Sequence, residues 1–471
     1  ALDQNGPAIE HIGEFSVVTN AFNAEYGRTG SWFTNITIRS GTNELHGSAF
    51  DYFANDKLNA RSFFQPQRAI VRNNEGGFTV GGPIYIPKIY NGRNRTFFFL
   101  GQDLFWYRQA NPGNLVTVPT IDFQRGDFSN LRSASGAVIP IFDPATTRSD
   151  GKGGFVRDPF LLNAIPPDRI NSISRKIVEL MPQPDWAGRQ SENYYSRTGG
   201  TPWYKTWVTT VKGDHSVSDK QKVAVTYSRQ SLPRLLAEWG YELGNPLEGD
   251  RVQDVKSQTG RINHDYVIRP NLLNHFTFGI DRYINVVRFS TVGQQWSEKL
   301  GIRGLPFLWD IFPRITFGGG TAAPMGASHL NNSDIGNGRI SVNENLTWVR
   351  GRHTMKFGFS HYREYYNYLE ASNGNGNFEF RNTTTSQPNA GSNLTLWGHS
   401  FAGFLLGDVY TAQTASPLTL GSRFRYWGVF GQDEWRATSR LTLSYGLRWD
   451  FAPAACDVND RLTGFDPRTP N

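Results

Sequence analysis

Apolar and polar side chains alternate one for one along much of this chain, in pairs of runs separated by short polar turns. From Arg339 to Tyr368, Ile340, Val342, Leu346 and Trp348 share one parity, and Ser341, Asn343, Asn345 and Thr347 take the other. After Arg350-Gly351-Arg352, Met355, Phe357 and Phe359 stand opposite Lys356, Gly358 and Ser360. Successive side chains of a strand point to opposite faces, so this period of two across a tight turn predicts a hairpin. The unit recurs. Trp427, Val429 and Trp435 lead through Ala437-Thr438-Ser439-Arg440 to Leu441, Leu443, Tyr445, Leu447 and Trp449. Trp207, Thr209 and Val211 lead through Ser216-Val217-Ser218-Asp219 to Val223, Val225 and Tyr227. Between Gln258 and Arg282 the turn is Arg269-Pro270-Asn271, with Phe276, Phe278 and Ile280 facing outward. Arg95 to Trp106 and Leu45 to Asp56 read as further strands, and Asp168 to Leu180 as helical.

The connections alternate in length. Short turns close one end, and long segments at 110–203, 230–254, 289–338 and 370–399 join the other. Long loops are uncommon in a compact soluble domain, whereas outer-membrane barrels pair short periplasmic turns with long extracellular loops. Aromatic residues gather at strand ends, as in Phe105-Trp106-Tyr107 and Tyr426-Trp427, which fits an interfacial girdle. The core of a β-sandwich would also use them. The pattern predicts an all-β fold, part of a large antiparallel transmembrane barrel.

Composition adds to this picture. The 471 residues include 33 Phe, 19 Tyr, 13 Trp and 49 Gly but only 3 Met, so the apolar material suits strands and turns. The mean hydropathy is negative. No stretch approaches the roughly 20 apolar residues of a membrane-spanning helix, but a barrel strand shows lipid only every second side chain. The formal charge of +7 is scattered without a basic run, which predicts a solvated surface and no nucleic-acid partner. Cys456 has no partner for an internal disulfide. Ala1 opens without a signal-peptide pattern, so either a leader has been removed or the natural start lies elsewhere.

Motifs of chemistry are missing. There is no GxSxG, HExxH or GxxxxGK[ST]. Asp457-Val458-Asn459-Asp460 has the acidic spacing of a calcium loop without its Gly and terminal Glu, and His11, His46 and His215 are dispersed. The expectation is no enzyme, no catalytic residues, no metal and no cofactor.

The stretch from Ile9 to Phe50 differs in kind. It contains Glu14-Phe15-Ser16-Val17, Ala24-Glu25-Tyr26-Gly27-Arg28 and Ile36-Thr37-Ile38-Arg39-Ser40-Gly41-Thr42-Asn43-Glu44-Leu45-His46-Gly47. Downstream come Asn55-Asp56, Leu58-Asn59-Ala60-Arg61, Phe63-Phe64, Gly76-Gly77-Phe78, Gly81-Gly82-Pro83-Ile84, Arg95-Thr96-Phe97-Phe98-Phe99 and Tyr445-Gly446-Leu447-Arg448-Trp449-Asp450. In this order they resemble TonB-dependent outer-membrane receptors, nearest to the Oar-like group with a carboxypeptidase-regulatory-like N-terminal domain. Ser31-Trp32-Phe33 departs from the small residues usual there.

The resemblance implies that 1–43 is the C-terminal end of a plug domain and 44–471 the N-terminal portion of a barrel of about 22 strands, the rest lying outside this chain. It further implies a bacterial outer-membrane receptor that takes up a nutrient, with energy relayed by the TonB-ExbB-ExbD complex through a segment not in this chain. Outer-membrane lipid, lipopolysaccharide and an unknown extracellular ligand complete the partners. Candidate plug-to-barrel contacts are Arg28, Arg39 and Glu44, since charges inside a lumen must pair. Candidate ligand-binding aromatics in the loops are Trp186, Tyr194, Tyr195, Trp203, Trp309 and Tyr365. The alternatives are a surface adhesin or assembly protein on the same barrel, and a soluble carbohydrate-binding β-sandwich.

Overall fold

The computed structural model describes residues 7–19, 23–27, 32–61, 63, 68, 70–110, 114–197, 200–305, 309–327, 332–370, 373–388, 397–415 and 418–462. Arg28, Ser31 and Phe64 lie outside them. Two strands come first, β1 (Ile12–Thr19) and β2 (Trp32–Ile38), paired antiparallel as a separate hairpin. Among the described residues, eleven strands of ten or more residues form the wall: β3 (His46–Asn55), β4 (Ile70–Pro83), β5 (Thr96–Ala110), β6 (Gly200–Ser218), β7 (Gln221–Ala237), β8 (Arg251–Arg269), β9 (Leu272–Phe289), β10 (Ser333–Arg350), β11 (His353–Glu370), β12 (Leu418–Arg436) and β13 (Thr442–Phe451). Each pairs with its sequence neighbour, giving one sheet ordered from β3 to β13 without a crossover. The expected all-β antiparallel architecture is present.

Two-residue turns join β6 to β7, β8 to β9 and β10 to β11. In the last, Gly351 sits at φ 61°, which a residue without Cβ adopts freely. Several loop boundaries differ from expectation. The connection read at 230–254 is confined to 238–250, because β7 and β8 extend beyond their obvious alternation; those read as ending at 203 and 338 end where β6 begins at Gly200 and β10 at Ser333; and the one read as ending at 399 runs on to β12 at Leu418. The helical segment is real but shorter, Ser172–Val178, started by the Asn171 side chain accepting from the Ile173 N–H.

The strands β4 to β12 run from 14 to 19 residues. About 9–11 residues cross a bilayer, so these strands project beyond it. At their long-loop ends the connections do not hang free. They fold together as a cap around one apolar core, to which different loops contribute Phe123 and Phe128, Tyr241 and Leu247, Phe312 and Met325, and Phe401 and Phe404, all at most 2% exposed. The loops cross closely at Gly249 (φ 68°) and Gly326 (φ 74°), where a Cβ on Gly249 would lie 2.1 Å from the Gly326 carbonyl oxygen. His399 is held in this core against the stacked Phe123 and Phe128 rings. Beyond β13, Asp457 is engaged by Arg461 at 2.7 Å and by the N–H groups of Gly421 and Asn459. Arg461 first, and these amides with it, hold the Asp457 carboxyl well below the usual range. The calcium-loop-like spacing thus serves an internal ion pair that fastens the chain to β12.

The sheet is apolar on the side that a water-soluble protein would keep polar. Val211, Val225, Tyr227, Ile262, Ile280, Ile340, Phe357, Val429 and Trp449 all point outward and are exposed. Residues of the opposite parity on the same strands, Lys212, Thr226, Arg261, Asn343, Ser360 and Arg448, point to the concave side. Such an inverted arrangement is stable only where the outer solvent is hydrocarbon. Replacing Val225 by Arg places a charge in the middle of the stretch of β7 that crosses the bilayer. It is expected to destabilise the folded state in vesicles by about 2–4 kcal/mol, read by denaturant unfolding. An unchanged midpoint would mean that this face does not contact lipid.

Candidate functional site

The site is the concave side of the sheet and the β1–β2 hairpin lying against it. Two groups of polar contacts hold the hairpin, one at each flank. On the β5–β6 flank, the fully buried His11 faces Thr210 (Nδ1 to Oγ1, 3.0 Å) and lies directly over Gly101. A Cβ on Gly101 would sit 2.3 Å from the His11 ring, so only glycine leaves room for the imidazole. Lys212 Nζ donates to the Ile38 carbonyl at 3.0 Å and to Ser40 Oγ at 2.8 Å. The chain then leaves the lumen past Gly41, whose Cβ position is closed by the Phe98 and Gly82 backbones at 2.3 and 2.6 Å. Close backbone approach therefore explains two of the glycine motifs picked out in the sequence.

On the opposite flank, Lys356 of β11 pairs with Glu25 at 2.9 Å. Arg448 of β13 donates from Nη1 to the Ala24 and Glu25 carbonyls at 3.1 and 3.3 Å, from Nη2 to the Tyr426 hydroxyl at 2.7 Å, and from Nε to Asp450 at 2.8 Å. The Tyr426 hydroxyl in turn donates to Asp450. The Arg448 side chain is only 12% exposed, so this is a desolvated, four-way anchor. Tyr26 stacks beside it on Phe33, ring centroids 5.0 Å apart, which gives the unexpected aromatic of β2 a packing role.

Between the flanks lies a cavity of about 1370 Å³. Thr226, Ser228, Thr259, Asn263, Thr277 and Asn343 line it with small polar groups, and Arg261 and Arg339 add charge. Arg261 is paired with Asp281 at 3.0 Å. A wet interior beside an apolar exterior is the arrangement of an aqueous lumen in a membrane wall.

The outer membrane beta barrel domain family matches residues 37–471, the entire sheet. The chain belongs to this family. It is an outer-membrane β-barrel chain, and the short-turn end of the wall faces the periplasm as in barrels generally. No curated protein matches it. Solved structures similar to this barrel chain include the outer membrane transporter YddB from Escherichia coli (11% identity, TM-score 0.45) and the siderophore receptor PirA from Acinetobacter baumannii (12%, TM-score 0.45). A ferric enterobactin receptor variant from Pseudomonas aeruginosa is similar at 11% identity and TM-score 0.44. In each case 94% of this chain is covered, and it spans 44% of the length of the other.

Of the charged residues expected to tie hairpin to wall, neither of the two that are described does so. Arg28 lies outside the described residues. Arg39 turns back within its own segment, donating to the Ile12 carbonyl at 3.1 Å and lying 3.9 Å from Glu10. Glu44 is exposed, and its carboxylate makes no ion pair among the described residues. The contacts fall instead on Glu25, two backbone carbonyls, His11 and Lys212. The loop aromatics scatter. Tyr194 is core, 4% exposed, with Arg197 over its ring at 4.8 Å. Trp186 and Tyr195 pack against each other with tilted rings, centroids 4.7 Å apart, on the cap surface. Trp309 packs against the small cluster of Phe289, Ile311 and Ala327. Trp203 and Tyr365 are on strands, not loops, and on the outer face.

Proposed function

We propose that this barrel chain is the wall and plug end of a TonB-dependent outer-membrane receptor that admits a nutrient through its lumen. Residues up to 43, including β1 and β2, are the end of the plug, and the wall begins at 44. One observation carries the reading: the β1–β2 hairpin occupies a polar lumen and is held to it by hydrogen bonds and one ion pair rather than by an apolar core. Apart from the desolvated Arg448 anchor, which sets the main resistance to opening, these are single polar contacts that water can replace at small net cost. A plug fastened in this way can be displaced by a pull from the periplasm and can return. An adhesin would have no need of a releasable segment. The cap places a folded surface at the extracellular end, where a ligand would first be met. The energy would come from the proton-motive force through the TonB-ExbB-ExbD complex.

The test is uptake by cells that carry the full-length protein, challenged with labelled ferric siderophores, oligosaccharides and peptides. Accumulation of one class that stops on adding a protonophore is the expected result. Surface binding of a ligand with no energy-dependent entry would overturn the transport reading and leave an adhesive role.

A further inference from the structure

Between the His11 contact and the cap, the inner wall carries a patch whose unengaged polar groups are all acceptors. Gly101 lies under His11 and so marks the inward parity of β5. The next inward residues towards the cap are Asp103, Phe105 and Tyr107. Register sets Glu75 of β4 opposite Phe105, and Tyr204 of β6 opposite Tyr107. Phe105, Tyr107 and Tyr204 make one aromatic surface, with centroids 5.3 Å apart between Phe105 and Tyr204 and 4.6 Å apart between the two tyrosines.

Beside these rings are carboxyl groups without a cation. Asp103 is only 5% exposed, and its carboxyl meets that of Glu75 in a hydrogen bond, with the charge of Glu10 close by. Neither Asp103 nor Glu75 is in an ion pair among the described residues. On the other side of the lumen Asp281 is answered by Arg261 at 3.0 Å and Glu364 by Arg339 at 3.8 Å. Asn73, in register with Tyr107, holds its Oδ1 buried and without a donor. The Tyr107 and Tyr52 hydroxyls already donate, to Gln109 and to Glu10. Desolvated like charges are unfavourable until a positive charge joins them. Acceptors set beside π faces select a group with donors and no acceptor, which is an ammonium or a guanidinium.

We propose that Glu75, Asp103, Asn73 and Tyr204 form a lumen subsite for a cationic group of the imported nutrient, the ammonium or guanidinium of a basic peptide or of a polyamine. Glu75 takes the donors first, Asp103 adds its charge from behind, Asn73 accepts a further N–H, and the Tyr204 face covers the cation. The subsite lies directly on the extracellular side of the hairpin. The inference rests on the reading of the lumen as a nutrient path.

The test is titration calorimetry on full-length protein in mild detergent, with end-capped triarginine, its uncharged tricitrulline counterpart and spermidine as probes. Triarginine is expected to bind about tenfold more tightly than tricitrulline, and Glu75→Gln to weaken it about tenfold, the loss of one charge-assisted contact. Tyr204→Leu should weaken it about fivefold, while Tyr204→Phe keeps the ring face and should bind as the wild type does. Glu364→Gln removes the same charge across the lumen and should leave binding unchanged. Heat-modifiable gel mobility confirms that each variant is folded. The tighter of triarginine and spermidine identifies the carrier of the cation, and either supports the site. Equal binding of triarginine and tricitrulline, no loss in Glu75→Gln, or an equal loss in Glu364→Gln would each overturn the proposal. Energy-dependent import of a neutral or anionic nutrient with no cation binding would overturn it and leave the transport reading standing. Cation binding that depends on Glu75, without energy-dependent entry, would support the subsite and overturn transport.

Discussion

Replacing Arg448 by Ala is expected to free the Ala24–Gly27 segment from the wall. The guanidinium is almost fully desolvated and satisfies four groups at once: two hairpin carbonyls, the Tyr426 hydroxyl and Asp450. Its removal leaves the Asp450 carboxylate without its cation and opens a gap next to Gly27, Gly428 and the Tyr426 ring. Breaking such an anchor costs about 3 kcal/mol, much of it from the charge left behind. The hairpin opening equilibrium should then shift by about a hundredfold, since each 1.4 kcal/mol is a factor of ten. Hydrogen exchange of residues 23–27 in the full-length protein reads this directly. Cells should also become more sensitive to a large antibiotic that the outer membrane normally excludes. Glu25→Gln, which removes only the less buried pair with Lys356, should show a much smaller effect. If exchange in Arg448→Ala matches the wild type, the hairpin is held by other means.

Acidification is expected to loosen the cap through His399. Burial alone pushes its imidazole down to about 4, against an ordinary value of 6.5. Its neighbours are the Phe123 and Phe128 rings, and its Nδ1 has no hydrogen-bond partner. The depressed value sets the sign: from pH 6.5 down to 4 the unfolded cap takes up a proton that the folded cap refuses. Stability is therefore complete above about 6.5, declines as the pH falls towards 4, and loses no more below that through this group. The full loss is on the order of 3 kcal/mol. Limited proteolysis of the loops at pH 7.5 and pH 4.5 measures it. His399→Met, of similar bulk and without a titrating group, should cut at equal rates at the two pH values. An equal acid response in that variant would assign the effect elsewhere.

The strands were legible because a two-residue period marks both the element and the face it turns outward. Ile340, Phe357 and Val429 were readable as one face before any coordinate, and the turns at Pro270 and Gly351 fixed where hairpins close. β4 was harder: Gly76, Gly77, Gly81 and Gly82 supply no side chain to alternate, although Gly81 and Gly82 give close packing against the exit at Gly41 and Leu45, and Gly76 and Gly77 against the neighbouring strands. The cap core was invisible for another reason. Its residues come from four loops that, apart from the helical stretch with Ile177, have no periodicity, so nothing local distinguishes Tyr194, which is core, from Trp186, which is surface. The hairpin contacts failed in an instructive way. Charge alone pointed to Arg28, Arg39 and Glu44, of which Arg28 lies outside the described residues, but the stronger anchor joins two recognised motifs, around Glu25 and around Arg448, whose meeting depends on the curl of the whole wall.

That meeting also orders the assembly of the protein. Every wall strand pairs with its neighbour in sequence, so the sheet can zip one hairpin at a time with little loop entropy to overcome. The contact from Arg448 to Ala24 spans 424 residues and can form only after β13 has been added. The segment that ends up inside is made first and anchored late. It must therefore be waiting in the trough while the wall grows past it, for a hairpin that arrived after closure would have to be threaded through a filled lumen.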